Sequence, residues 1–194
     1  MINARNLSVK ADHAHCLGMY DSHVSIAQRV EDAEFLWESG RFEGAFLSAL
    51  VAFAATARRL RPLPTPDRQA FEALFAEQFG DGTTLRFRGE MISLGTLLYK
   101  WLRCELVHEG GLPVGLEIDP NDTNSIFSMK MIESLPVSIP ATWYHSLIIN
   151  VVGHPVNIDQ FPLQEQTLRV LLSRRKVAGQ RVLGPYARHE SFRP

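Results

Sequence analysis

The sequence predicts a mainly α-helical protein, an antiparallel helical bundle with a small α+β appendage at its C-terminal end. Three observations carry that reading. Apolar residues recur at helical spacing from Ile26 to Trp37. "GAFLSALVAFAATA" (residues 44–57) is Ala-rich and apolar nearly all round, as a central, enclosed helix is. A third long periodic run, Glu90 to Glu109, is stopped by "GGLP" (residues 110–113). The 194 residues are 45% hydrophobic and 21% charged, enough apolar material for one sizeable core.

Residues 1–21 lack periodicity and read as an arm. Asp21 or Ser22 is suited to cap the first helix. Its stripe is Ile26, Val30, Ala33 and Trp37, and Ser39-Gly40 ends it with a left-handed glycine cap. The second helix runs from about Arg41 to Leu60. There Arg58, Arg59 and Arg61 complement the negative end of the helix dipole, and Arg58 and Arg59 are also candidates for RNA contact. "RPLPTP" is a rigid break. Asp67 to Phe79 is the third helix, with Phe71, Leu74, Phe75 and Phe79 inward. "GDGTTLRFRG" is a loop with room for a short extended piece. Glu90 to Glu109 is the fourth helix and closes the bundle, residues 22–111.

Residues 112–194 form the appendage. "VGLEI" (114–118) and "IFSMKMI" (126–132) read as two strands joined by the turn-rich "DPNDTN". After a "PVSIP" break, a fifth helix is expected over Ala141 to Val152, flanked by His145 and His154. A sixth is expected over Leu163 to Lys176. Trp143 and Tyr144 read as core or interface.

Net charge is −1, which excludes electrostatic nucleic-acid binding by the chain as a whole. The charge is unevenly spread, with +6 from Arg169 onward and −7 before it. A basic tail on an acidic body suggests RNA or partner contact through Arg174, Arg175 and Lys176, or else a solvated tail. Cys16 and Cys104 define no disulfide framework, which fits a reduced, cytoplasmic protein. The first 20 residues do not read as a signal peptide, and no run reaches the length of a membrane span. "DHAHC" and "DSH" gather metal-capable side chains at Asp12, His13, His15, Cys16, Asp21 and His23. Their order matches no closed zinc pattern, so no metal site is assigned. No Walker loop, nucleotide-binding glycine loop or serine nucleophile elbow is present.

The informative stretch is "YKWLRCELVHEGG", Tyr99 to Gly111. On a wheel of about 100° per residue with Leu98 at the origin, Met91, Leu94, Trp101 and Leu102 fall within about 60° and make a core face. Glu105 falls in the middle of that face, where it needs a donor such as Arg41 or a Trp indole. Arg103 and His108 fall at about 140° and 280°, with Lys100, Cys104 and Val107 between them. They bracket a second face turned away from the core. A two-fold axis there would bring two arginines and two histidines into one cleft.

This Arg103-Cys-Glu-Leu-Val-His108 run, followed by Glu109-Gly110, resembles the Arg-x4-His motif of the HEPN superfamily. The Trp37 to Arg41 turn leading into an Ala-rich helix is similar in layout, and the likeness covers about residues 24–111. The resemblance implies a dimeric helical bundle and, in many members, metal-independent RNA cleavage with Arg103 and His108 as the catalytic pair. Glu105 and Glu109 would support them, and Lys100, Cys104 and Val107 would line the dimer interface. Such chemistry asks for no metal and no cofactor. Catalytic members often place Asn, Asp or His after the arginine, where this chain has Cys104. The other readings are a non-catalytic HEPN-like module that binds RNA or a protein partner, and a helper of a nucleotidyltransferase.

Overall fold

The computed structural model describes residues 25–80, 82–123 and 136–177, and it is mainly helical with two small sheets. Helix α1 is Ile26–Glu38 and α2 is Phe42–Leu60. The α1 stripe buries Ile26, Val30 and Ala33, while Trp37 is half-buried against the same core. Ser25 caps α1, its hydroxyl accepting from the Gln28 N–H at 3.1 Å. Asp21 and Ser22, expected as caps, lie outside the described residues. The turn into α2 is a Schellman motif. The Arg41 N–H donates to the Leu36 carbonyl and the Gly40 N–H to that of Trp37, with Gly40 at φ +72°.

Helix α3 is Asp67–Phe79, and it packs Phe71 and Phe75 edge-on to Phe53 of α2. A hairpin follows, with β1 (Thr84–Phe87) antiparallel to β2 (Glu90–Ser93). Its turn residues Arg88 and Gly89 both have positive φ, the geometry that matches strand twist in two-residue hairpins. The helix expected from Glu90 therefore starts four residues later, at Leu94, where Ser93 caps it through the Thr96 N–H. Met91, placed on the core face by the helical wheel, stands on β2 and is 65% exposed.

The helix that follows, α4, covers residues 94–108. Leu94–Thr96 is α-helical, Leu97–Arg103 is π-helical and Cys104–His108 is α-helical again. In the π segment each N–H reaches one residue further back, as from Cys104 to the Tyr99 carbonyl. One extra residue per turn sets everything beyond it back by about 100° relative to an unbroken α-helix. That shift carries Leu106 to the core face, where it is buried, and takes Glu105 off it. Gly110, at φ +72°, ends the helix where the sequence placed its stop.

Strand β3 (Leu116–Asp119) pairs in parallel with β4 (Val137–Pro140). The second strand was expected over 126–132, which lies outside the described residues. The segment read as a break is itself a strand, and its proline ends the pairing, where the missing N–H costs least. Helix α5 is Ala141–Gly153 and α6 is Gln164–Val177, with a 3-10 turn at Pro155–Asn157 between them. All thirteen residues of α5 are buried. It packs on α2, and one apolar cluster runs from α1 to α6 without a gap at residue 112. So α5, expected in an extension packed on the bundle, contributes its whole length to the shared core.

Enclosure of α5 sets a polar problem that three helices solve together. The Tyr144 hydroxyl donates to Glu34 Oε1 of α1 at 2.9 Å, and Arg175 Nη2 of α6 donates to the same oxygen at 2.6 Å. Arg175→Ala is expected to cost roughly 3 kcal/mol, because Glu34 is left largely buried without its countercharge. Arg174→Ala, one residue earlier but exposed, is expected to stay within about 0.5 kcal/mol. Urea unfolding of the two variants beside the wild type measures both.

Candidate functional site

The C-terminal half of α4 carries the pair singled out by the sequence. Beyond the π segment the helix is regular, so Arg103, Cys104, Val107 and His108 keep their mutual arrangement on one arc. The block as a whole is turned toward the core. His108, in the last residue of the helix, is exposed; Val107 is 52% exposed and Lys100 is exposed, while Cys104 is half-buried and a free thiol. Glu109 is exposed. Glu105 is half-buried, not central to the core, and makes no hydrogen bond to Arg41 or to an indole among the described residues.

Arg103 does not point freely outward as expected. Its side chain is 22% exposed, with Nη2 at 3.7 Å from Asp67 Oδ2 and the guanidinium 5.1 Å from the Tyr99 ring centroid. Its Nε is enclosed, with no hydrogen-bond partner among the described residues. Asp67 opens α3, where the helix dipole favours a carboxylate, and its other oxygen accepts from Arg58 Nη2 at 2.7 Å. Arg58 is fixed further by the carbonyls of Thr65 and Arg61. Two guanidiniums thus share one carboxylate. Burial raises the Tyr99 phenol above its ordinary pKa, opposed by the adjacent Arg103. Asp67 and Tyr99 were not singled out from the sequence, although Asp67 directly after Pro66 is a recognisable helix start.

The expected RNA-contacting cations are spoken for. Arg59 bonds Asp159 at 2.7 Å, Arg174 pairs with Glu38 at 3.4 Å, and Arg175 is buried on Glu34. The last is a correction, since the sequence places Arg175 in a solvated or binding tail. The Lys176 side chain lies outside the described residues, as does the histidine-rich arm. Among the described residues no group of three or more His, Cys, Asp or Glu is placed to hold a metal ion. Two surface clefts lie elsewhere. One of about 680 Å³ lies between the α1–α2 turn and Leu112 to Ile118. The other, of about 520 Å³, lies between α1 and α6. Neither takes in Arg103 or His108.

His145 lies inside α5 rather than at its flank. Its ring sits edge-on to Trp37 and Tyr144, and neither nitrogen has a hydrogen-bond partner among the described residues. Burial first, then nearby Arg175, pushes its pKa down from 6.5 to about 2.

The site is thus the exposed end of a π-interrupted helix, with an arginine half-held by a neighbouring helix and a histidine at the rim. The chain belongs to the Rv1289 family, whose sequence pattern matches residues 25–176. No curated protein and no solved structure matches it. No helix among the described residues is long and apolar enough to cross a membrane.

Burial of His145 makes stability depend on pH. The unfolded chain takes up a proton near pH 6.5 that the folded chain refuses until about pH 2, so stability falls as pH drops through that window. The slope from this group is at most about 1.4 kcal/mol per pH unit. His145→Phe keeps a ring between Trp37 and Tyr144 and is expected to flatten the acid limb of a stability–pH curve measured by denaturant unfolding.

Proposed function

We propose that the chain is a HEPN-like, dimeric ribonuclease of the cytoplasm, its helices arranged as an antiparallel bundle and its Arg103–His108 faces meeting across a two-fold axis. The observation that carries this reading is the arc from half-buried Cys104 to exposed Val107 and His108, with Arg103 at its edge. His108 is the last residue of α4 and is exposed at the rim of that arc. In the reaction, the imidazole takes the proton of the substrate 2′-OH, or an imidazolium gives one to the departing 5′-oxygen. The 2′-oxygen bonds to phosphorus, the P–O5′ bond breaks, and a 2′,3′-cyclic phosphate results. Arg103 stabilises the charge on the phosphoryl oxygens once its 3.7 Å ion pair with Asp67 gives way to phosphate. No metal or cofactor enters these steps.

A specific observation favours a second reading, the non-catalytic module that binds RNA or a protein. Asp67 and Tyr99 already engage the Arg103 guanidinium, and Cys104 follows it. Helper action toward a nucleotidyltransferase has no observation of its own.

The two readings separate in a cleavage assay on a labelled RNA pool with EDTA present. His108→Ala is expected to lower the rate by about 10²–10⁴-fold, and Arg103→Ala by a comparable factor. Asp67→Asn, which releases Arg103, should leave cleavage intact or raise it. Absence of cleavage by the wild type decides for the binding module.

Assembly is tested separately. Val107→Glu is expected to shift the protein toward monomer in light scattering at micromolar concentration, because a carboxylate would be desolvated against its symmetry mate. A monomeric wild type under those conditions removes the shared cleft.

A further inference from the structure

Thirteen Lys and Arg side chains are described, and nine of them stand in ion pairs with described Asp or Glu residues. The four that do not are Arg41, Arg86, Arg88 and Lys100. Arg41 lies at the α1–α2 turn. The other three belong to the β1–β2 hairpin and the adjoining turn of α4, and all three are exposed. Arg88 Cζ and Lys100 Nζ each lie 4.6 Å from the centroid of Trp101, so the two charges stand within about 9 Å of each other. That is about one Debye length at physiological salt, too close for solvent ions to screen their repulsion fully.

The arrangement is also held in place. Arg88 occupies the left-handed region at φ +50°, its Nη2 donates to the Val114 carbonyl at 3.2 Å, and its guanidinium also lies over Phe87. Phe87 in turn meets Trp101 edge-on. Arg86 stands two residues back on the exposed side of β1, and exposed Met91 is its cross-strand partner. The acid of the hairpin, Glu90, is paired with none of the three. Elsewhere among the described residues the fold answers almost every cation with a carboxylate; here it fixes two on a shared ring without one, while Arg86 stands on the opposite face of the hairpin from Phe87.

We propose that this surface, Arg88 and Lys100 over Trp101, binds the phosphodiester backbone of single-stranded nucleic acid. Two cations within about 9 Å suit two consecutive phosphates. The exposed Arg88 guanidinium plane offers stacking to an unpaired base, which a duplex would not present. Lys100, expected at the dimer interface, stands over Trp101 instead, so this surface adjoins the Arg103–His108 face along α4, and its occupancy does not depend on catalysis.

The test is fluorescence anisotropy with a labelled oligouridylate, using the full chain carrying His108→Ala so that cleavage cannot consume the probe. Arg88→Asn keeps a residue that tolerates positive φ, and Lys100→Gln keeps most of the aliphatic stem. Each is expected to weaken binding severalfold at low salt, and the double variant more than tenfold. For each phosphate that a variant no longer neutralises, the slope of log K against log salt should fall by about 0.7. Arg29→Gln, a half-exposed arginine already paired with Asp32 on α1, should leave affinity unchanged. Wild-type affinity in the double variant would overturn the proposal, as would binding to anionic vesicles with none to oligouridylate. If the double variant loses binding while no RNA is ever cut, this surface stands and the nuclease reading fails. If cutting depends on His108 while the double variant binds normally, the reverse holds.

Discussion

Complete burial of α5 is the constraint from which most of the architecture follows. A helix with no solvent-facing side needs partners inside the protein for its polar groups; Ser146 and Asn150 bond back to carbonyls of α5 itself, and both His145 nitrogens go without a partner among the described residues. Tyr144 reaches Glu34 of α1, and Glu34 then requires a cation, which Arg175 of α6 supplies from inside the core. The stacking of Trp37 on Tyr144, at 4.1 Å and nearly parallel, seals the same junction from the α1 side. Asn157 closes the other end of α5. Its amide donates to Thr56 of α2 and to the Val151 carbonyl. Three helices distant in sequence are thereby fixed to one, and α2 with α5 forms the middle against which α3 and α4 lean.

What was legible in the sequence was what local chemistry alone determines. The stripe of α1, the Gly40 cap, the extent of α2 and α3, and the stop at Gly110 each rest on a few neighbouring residues, and each is found as expected. The helix α5 was also expected over nearly its full length, but its depth was not legible. Its continuous apolar run carries no periodicity, and such a run does not say which elements surround it. The same blindness applied to Arg175. A basic cluster near the end of a chain reads as surface, and only the position of Glu34 some 140 residues earlier makes it interior.

The π segment explains why the site was half legible. Arg103 closes the π segment and Cys104–His108 is regular α-helix, so the relation of Arg103 to His108 survives. Their relation to the core does not, because the π segment at residues 97–103 turns less per residue than the α-helix the spacing predicts. Nothing in "LLYKWLR" marks a wider turn by itself. The turn accommodates tertiary demands: Leu97, Leu98 and Leu102 all reach the core, and Leu106 follows them once the register has slipped. Glu105, left inside by an unbroken α-helix, is moved to the margin. Polarity is thus relieved by backbone geometry where α5 relieves it by pairing.

That slip has an electrostatic consequence that joins the two surfaces of α4. Turning the block toward the core brings Arg103 within reach of Asp67, whose carboxylate is already held by Arg58, so Arg103 receives only a share of one negative charge. Lys100, one turn earlier, receives none and settles over Trp101 beside Arg88. The body of the protein is acidic, yet along this helix positive charge is left under-compensated at successive turns. Such a pattern is not needed for stability, since each of these cations would be quieter beside a carboxylate. An anion arriving from solution would meet fixed cations at Trp101 and a loosely held one at Arg103, with His108 at the rim beyond. The same register change that moves Glu105 off the core face therefore leaves Arg103 with only part of a countercharge.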